Sequence, residues 1–155
     1  MRVAATCGCF DIVHKAHLNL LKTCRKLGGQ VVVFLNSDES IARIKGTGKP
    51  AVPLESRAAV LDALEYVDSV IVFHEDTPAE AIRHYFKLNP ALNTGDFFWV
   101  KGADSRITGL PDDEKGAVQE NAGMILYYDN PSSIHSSGIK GRIALNHKDE
   151  QEVPE

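Results

Sequence analysis

His14 and His17, two histidines three residues apart, are the side chains of this sequence best placed to do chemistry. Residues 3–7 before them form an apolar run typical of a buried strand, and apolar residues recur at helical spacing over residues 20–27. The pair therefore lies where a strand passes into a helix. Backbone N–H groups and the helix dipole favour bound anions at such a position, phosphate above all. Imidazoles placed there can donate hydrogen bonds to phosphate oxygens, and they titrate near neutral pH.

The turn that carries the histidines resembles the signature of the cytidylyltransferase-like nucleotidyltransferases. That signature reads Gly-x-Phe-Asp, two residues, His, any residue, Gly, His. The residues that match it in register are Gly8, Phe10, Asp11, His14 and His17, and Ala16 stands where the family usually has glycine. A plain turn followed by a helix with surface histidines is the alternative. The resemblance favours the functional interpretation and implies that a nucleoside triphosphate is the substrate and pyrophosphate a product.

The resemblance also implies roles for the residues of this turn. His14 and His17 would be catalytic, because they would hold the α- and β-phosphates and stabilise the charge that develops on them. Nucleotide contacts are implied for Gly8, Cys9, Phe10 and Asp11. Asp11 could instead orient a histidine or a metal-bound water, or cap the turn. The expected cofactor is Mg²⁺, held mostly by phosphate oxygens and water, with no metal ligand expected from the protein.

A basic loop at residues 45–50, which contains two lysines and two glycines, follows the second apolar strand. With its flanks it resembles one branch of the family, the adenylyltransferase that makes ADP-heptose from heptose 1-phosphate. That branch carries an Asn-x-Asp strand end, a Lys-Gly-x-Gly-Arg-Pro loop and a Pro-Leu-Glu-x-Arg helix start, which match residues 36–38, 45–50 and 53–57. Lys49 replaces the arginine of the loop. The resemblance implies that Lys45 is a catalytic phosphate ligand.

Substrate contacts are implied at two further places. The same branch implies that Arg57 binds the substrate, and a surface ion pair of Arg57 with Glu55 or Asp62 is the alternative. Residues 100–104 resemble the Val-Lys-Gly-Gly-Asp-Tyr segment of the branch, with Ala103 in place of the second glycine. Substrate contacts are therefore implied for Lys101, Gly102 and Asp104. A turn held by an ion pair is the alternative for this segment.

Near the end of the chain, residues 134–139 resemble the second signature of the family, Ile-Ser-Thr-Thr-x-Ile or a serine-rich variant of it. The resemblance implies that Ser136 and Ser137 bind the nucleotide, since they would offer hydroxyls and backbone N–H groups at the start of a helix. A simple helix N-cap is the alternative.

Strands and helices alternate along the chain. Apolar runs predict strands at residues 3–7, 30–35, 69–73, 97–100 and 124–128. Helical patterns lie between them, at residues 38–44, 53–66, 78–86 and 136–145, and the second of these is expected to bury Val60, Leu61 and Leu64. This alternation predicts a Rossmann-like three-layer α/β/α fold with a five-stranded parallel sheet, which binds its ligand at the carboxyl ends of the strands.

The length and composition set limits on the class of protein. A chain of 155 residues suggests one domain, expected at residues 1–145, with a polar tail at residues 146–155 that is expected to be disordered and a loop insertion of unknown role at residues 88–95. The net charge of −4 argues against general nucleic-acid binding. No apolar stretch approaches the roughly 18 residues of a membrane span, and a strand at the very start leaves no room for a signal peptide. Three cysteines fit a reducing, cytoplasmic location.

The function expected from these features is transfer of a nucleoside monophosphate from ATP to a sugar phosphate similar to heptose 1-phosphate. The first alternative is a glycerol-3-phosphate cytidylyltransferase that uses CTP, since its signatures are similar and its chain is also short. The second alternative is a nucleotide-binding protein without catalysis, which the departures from the family pattern at Ala16, Ser105 and His135 would favour. The family resemblance implies a homodimer.

Overall fold

The computed structural model describes residues 1–92 and 95–129, in which five parallel strands form one sheet. The strands are β1 (Val3–Gly8), β2 (Gln30–Asn36), β3 (Ser69–Phe73), β4 (Phe97–Gly102) and β5 (Met124–Tyr128). They lie side by side in the order β3-β2-β1-β4-β5. The predicted Rossmann-like α/β fold with a five-stranded parallel sheet is confirmed. Strands β2 and β4 run past their predicted ends, so Asn36 and Gly102 belong to the sheet.

Six helices connect or follow these strands in the described part of the chain. They are α1 (Lys15–Leu27), α2 (Asp38–Lys45), α3 (Leu54–Asp62), α4 (Ala79–Leu88), α5 (Ala103–Thr108) and α6 (Asp112–Gln119). The sequence predicted α1 to α4 but not α5 and α6, which are short and carry few apolar residues. Helix α3 ends at Asp62, four residues before its predicted end. The predicted helix at residues 136–145 and the tail at residues 146–155 lie outside the described residues.

Two apolar cores lie on opposite faces of the sheet. Phe34, Phe97 and Trp99 pack with α4 and α6 on one face, while Val33 and Leu35 pack with α1 and α3 on the other. The chain moves outward from β1 through β2 to β3, and then crosses back to β4 and β5. Because parallel crossovers are right-handed, this reversal of direction puts the later helices on the opposite face. The strand order therefore switches beside β1, the position at which such sheets bind ligands.

The turn between α1 and β2 depends on the absence of a side chain at Gly28. A Cβ atom added there would lie 2.6 Å from the backbone nitrogen of Ala4 in β1, whereas one added at the next residue, Gly29, would lie 3.7 Å from the nearest heavy atom, the carbonyl oxygen of Arg2. We expect Gly28→Ala to lower the free energy of unfolding by about 1–3 kcal/mol, because the helix must move away from the sheet. Gly29→Ala is the matched control, with an expected change within about 0.5 kcal/mol. Urea unfolding of both variants measures the difference, and equal effects would contradict the expectation.

Candidate active site

The first strand ends in a turn whose backbone conformation is unusual. Phe10 has a φ of 45°, a left-handed conformation that residues other than glycine rarely adopt. Its buried ring lies 5.0 Å from the ring of His17, measured between centroids. A Cβ atom added at Gly8 would come within 3.2 Å of the same ring. The small residue at the end of β1 thus leaves room for Phe10 to pack beneath His17.

His14 and His17 lie together at the start of α1. His14 is the N-cap residue, and its Nδ1 accepts a hydrogen bond of 3.2 Å from the N–H of Ala16. The Nδ1 of His17 accepts one of 3.2 Å from the N–H of His14 in return. The two rings are 4.1 Å apart between centroids. A neutral imidazole that accepts at Nδ1 carries its proton on Nε2, so both rings have an Nε2–H donor, and the Nε2 atom of His14 is buried.

This arrangement fits an anionic ligand better than a nucleophilic reaction. Two imidazole donors are fixed at the N-terminus of a 13-residue helix, where the helix dipole is positive. They follow the carboxyl end of β1, beside the switch in strand order. Ala16 stands where the family usually has glycine. It donates to His14 Nδ1 through its backbone N–H, so its side chain takes no part in this hydrogen bond.

Asp11 contacts the chain just after the basic loop. Its Oδ2 accepts a hydrogen bond of 2.9 Å from the N–H of Ala51, and its Oδ1 accepts one of 2.8 Å from the N–H of Val52. The side chain is buried. The sequence predicted a nucleotide contact, an orienting role or a turn cap for Asp11, and none of these includes a bond to residues 51 and 52.

Arg57 is buried, and its guanidinium bonds to three separate segments. Its Nε donates to the carbonyl of Val52 at 2.9 Å, and its Nη1 donates to the carbonyls of Cys9 at 2.7 Å and Asn36 at 2.9 Å. Its Nη2 donates to the carboxylate of Asp38 at 2.7 Å. The alternative to substrate binding, a surface ion pair with Glu55 or Asp62, is therefore wrong. The side chain is 0% exposed, so in this structure Arg57 lies beneath the surface that a substrate would touch.

Lys45 is the last residue of α2, and its side chain is exposed. The loop that follows is exposed as far as Lys49, and it turns through Gly46 and Gly48, whose φ angles of 99° and 81° favour glycine. Gly46 also caps α2, because its N–H donates to the carbonyl of Ala42. Lys45 at the end of α2 and Lys49 after the two glycines are therefore both exposed.

Lys101 lies at the end of β4 and is paired inside the protein. Its Nζ donates to Cys7 Sγ at 3.0 Å and lies 3.7 Å from Glu114 Oε1. Burial lowers the pKa of Lys101, but the neighbouring Cys7 and Glu114 outweigh burial and hold the pKa above its ordinary value. Burial raises the pKa of the Cys7 thiol to about 11, although Lys101 opposes the rise. Burial thus favours the neutral thiol of Cys7 over the thiolate.

Glu114, the partner of Lys101, was not predicted from the sequence. It is buried on α6, where its Oε1 accepts a hydrogen bond of 2.9 Å from the indole Nε1–H of Trp99. The ion pair that the sequence allowed in residues 100–104 is formed by Lys101 with Glu114 of α6. In the sequence, residues 112–114 are three consecutive acids, a pattern typical of an exposed helix start. Nothing in that pattern distinguishes the buried carboxylate from its exposed neighbours.

The remaining predicted site residues fall in several places. Cys9 is half-buried in the turn after β1, and its carbonyl accepts from Arg57. Gly102 is the N-cap of α5, and a Cβ atom added there would meet no heavy atom within 4 Å. Asp104 is exposed in the first turn of α5. Ser136 and Ser137 lie outside the described residues.

Comparison with known proteins gives a consistent result. The family model described as Cytidylyltransferase-like matches residues 5–142. Curated proteins named "Bifunctional protein HldE" are similar to the chain: the protein from Gluconacetobacter diazotrophicus is 41% identical over 145 residues, and that from Streptomyces coelicolor is 42% identical over 134 residues. These matches cover 92% and 84% of this chain but only 27% of each relative. The chain thus spans about a quarter of the length of the curated relatives it matches.

A solved structure shows the same fold. The crystal structure of the lipopolysaccharide core biosynthesis protein from Thermoplasma volcanium GSS1 is similar to this chain with a TM-score of 0.65 and 26% sequence identity. The match covers 85% of this chain and 99% of that one. Among residues 1–92 and 95–129, no helix is both long enough and apolar enough to cross a membrane.

Proposed function

Because the chain belongs to the cytidylyltransferase-like family, we propose that it transfers the nucleoside monophosphate of ATP to a sugar phosphate such as heptose 1-phosphate and releases pyrophosphate. The observation that carries this proposal is the His14–His17 pair, fixed at the start of α1 with ring centroids 4.1 Å apart. The match of residues 36–38, 45–50 and 53–57 to the ADP-heptose branch supports the choice of ATP and of the acceptor. The likeness to a lipopolysaccharide core biosynthesis protein agrees with a sugar phosphate.

The reaction needs charge stabilisation more than it needs a base. A phosphate oxygen of the acceptor attacks the α-phosphorus of ATP in line, and a new P–O bond forms. The bond from the α-phosphorus to the bridging oxygen breaks, and that oxygen leaves with its electron pair as part of pyrophosphate. The acceptor phosphate is already an anion at neutral pH, so no side chain has to remove a proton. Catalysis then depends on positioning and on donors aimed at the developing charge.

The histidines supply those donors. Each Nε2–H would donate to an oxygen of the α- or β-phosphate, and the helix N-terminus would add its dipole. The turn of Gly8, Cys9 and Phe10 would line the nucleotide site. Lys45 would reach the triphosphate from the basic loop, and Ser136 and Ser137 would hold the β- and γ-phosphates. Gly102 and Asp104 are proposed to contact the acceptor, and so is Lys101, whose side chain is 15% exposed beside Glu114.

The family resemblance also implies Mg²⁺, which when bound would neutralise part of the triphosphate charge. Within the described residues, no three histidine, cysteine, aspartate or glutamate side chains are grouped so that they could hold a metal ion. Both carboxylate oxygens of Asp11, the acid nearest the histidines in sequence, accept backbone N–H groups. Our proposal therefore assigns Mg²⁺ no protein ligand and leaves it to phosphate oxygens and water.

An assay of pyrophosphate release tests the proposal and its alternatives. The purified chain would be given ATP or CTP, each with heptose 1-phosphate or glycerol 3-phosphate, in the presence of Mg²⁺. We expect the highest kcat/KM for ATP with heptose 1-phosphate. Preference for CTP with glycerol 3-phosphate would favour a cytidylyltransferase, and nucleotide binding without pyrophosphate release would favour a non-catalytic protein. We further propose that the protein acts as a homodimer in the cytoplasm. Sedimentation measures the oligomeric state.

A further inference from the structure

Two residues of the site connect the basic loop to the turn that carries the histidines. Asp11 belongs to that turn and lies three residues before His14, while its carboxylate holds Ala51 and Val52. Lys49 lies two residues before Ala51. Consecutive Cα atoms are at most about 3.8 Å apart, so the Cα of Lys49 lies within about 7.6 Å of the Cα of Ala51, whose N–H Asp11 holds. The end of the basic loop is therefore held against the turn that leads into the histidines.

Arg57 fixes the same end of the loop from another direction. Its guanidinium bonds to the carbonyl of Val52 and to the carbonyl of Cys9, so it joins the loop to the turn after β1. Its bonds to Asn36 and Asp38 join the loop and the turn to the end of β2. The carboxylate of Asp38 in turn accepts from the N–H of Leu54 at 3.3 Å. The segment after the loop thus bonds to the ends of two neighbouring strands.

We infer that Asp11 and Arg57 are positioning residues, which hold the basic loop so that its lysines lie over the polyphosphate of the nucleotide. This inference rests on the proposed function. It assigns Asp11 a role different from nucleotide contact, because each carboxylate oxygen already binds a backbone N–H of the loop segment. It also explains a buried arginine: four hydrogen bonds from one rigid guanidinium fix the relative positions of β1, β2 and the loop.

The variant Asp11→Asn tests the inference with little change in size. Asparagine has one side-chain oxygen and one NH₂ group, so it can accept from only one of the two N–H groups and opposes the other. We expect amide hydrogen exchange at Ala51 or Val52, measured by NMR, to become faster by about tenfold or more. The KM for ATP should rise by about tenfold with little change in the KM for the acceptor, because the lysines lose their position. A merely structural role would lower stability without this selectivity between substrates.

Two further variants make the test specific. Asp62→Asn removes the same charge from an exposed position at the end of α3, and we expect no change in amide exchange or in either KM. Asp38→Asn weakens the bonds of Arg57 and Leu54 but leaves Asp11 intact, and it should change exchange and the KM for ATP in the same direction as Asp11→Asn. Unchanged exchange at both Ala51 and Val52 in Asp11→Asn, or faster exchange with an unchanged KM for ATP, would overturn the inference.

The design separates this inference from the proposed function. If the wild type releases no pyrophosphate, the proposed function fails, and titration with ATP then replaces the kinetic measurement. An increase of about tenfold in the Kd for ATP in Asp11→Asn would still support the positioning role. A wild type that does not bind ATP would overturn both, even if exchange at residues 51 and 52 responds as expected.

Discussion

His17→Ala is expected to lower the turnover of pyrophosphate release by about 10²–10³-fold, because one preorganised donor to the developing phosphate charge is lost. The variant should remain folded, since the hydrogen bond of 3.2 Å that the His17 side chain accepts from the N–H of His14 contributes about 1 kcal/mol. Turnover with ATP and heptose 1-phosphate measures the first expectation, and thermal unfolding measures the second.

Two control variants isolate the cause of that loss. His17→Gln keeps an acceptor for the N–H of His14, as glutamine does at this position of a capping box, but it removes the imidazole. It should restore stability without restoring turnover. His84→Ala removes an exposed histidine on α4 and should leave both quantities unchanged. Turnover close to that of the wild type in a folded His17→Ala variant would contradict the proposed mechanism.

Arg57→Met is expected to lower the free energy of unfolding by about 3–5 kcal/mol, the largest effect on stability that we expect from one substitution. Methionine fills much of the space but donates no hydrogen bond. The carbonyls of Cys9, Asn36 and Val52 would each lose a donor, and Asp38 would lose its charged partner. Urea unfolding, monitored by the fluorescence of the buried Trp99, measures the change.

Arg83→Met provides the matched comparison. The guanidinium of Arg83 also binds carboxylates, those of Glu80 and Glu120 at 2.6 Å each, but it lies on the surface of α4. Exposed ion pairs contribute about 0–1 kcal/mol, so this variant should lose far less stability than Arg57→Met. Similar losses in the two variants would show that the buried hydrogen bonds of Arg57 have no special role.

The order of elements and the position of the histidine turn could be predicted from the sequence because both depend on local patterns. Apolar runs marked β3 and β5 with their observed ends, and the turn after β1 carried its own signature. Arg57 could not be predicted in the same way. Its position on the buried side of α3 depends on carbonyls from β1 and β2, which only the folded sheet brings together.

The same helix shows how a pattern can mislead. The sequence predicted that Val60, Leu61 and Leu64 face the core, but Val60 is 46% exposed and Arg57 is buried in α3 instead. The four hydrogen bonds of Arg57 thus determined the buried face of α3 more than the apolar periodicity did. Glu114 was missed for a related reason, since its partners Trp99, Cys7 and Lys101 are distant in sequence.

The bonds that hold residues 51 and 52 involve only main-chain atoms of those residues. Any amino acid other than proline offers the same N–H and carbonyl groups, so natural selection has little reason to preserve the side chains at these two positions. Asp11 and Arg57, by contrast, make these bonds through their side chains. Alignments that score identity would therefore understate how well this contact persists as relatives diverge.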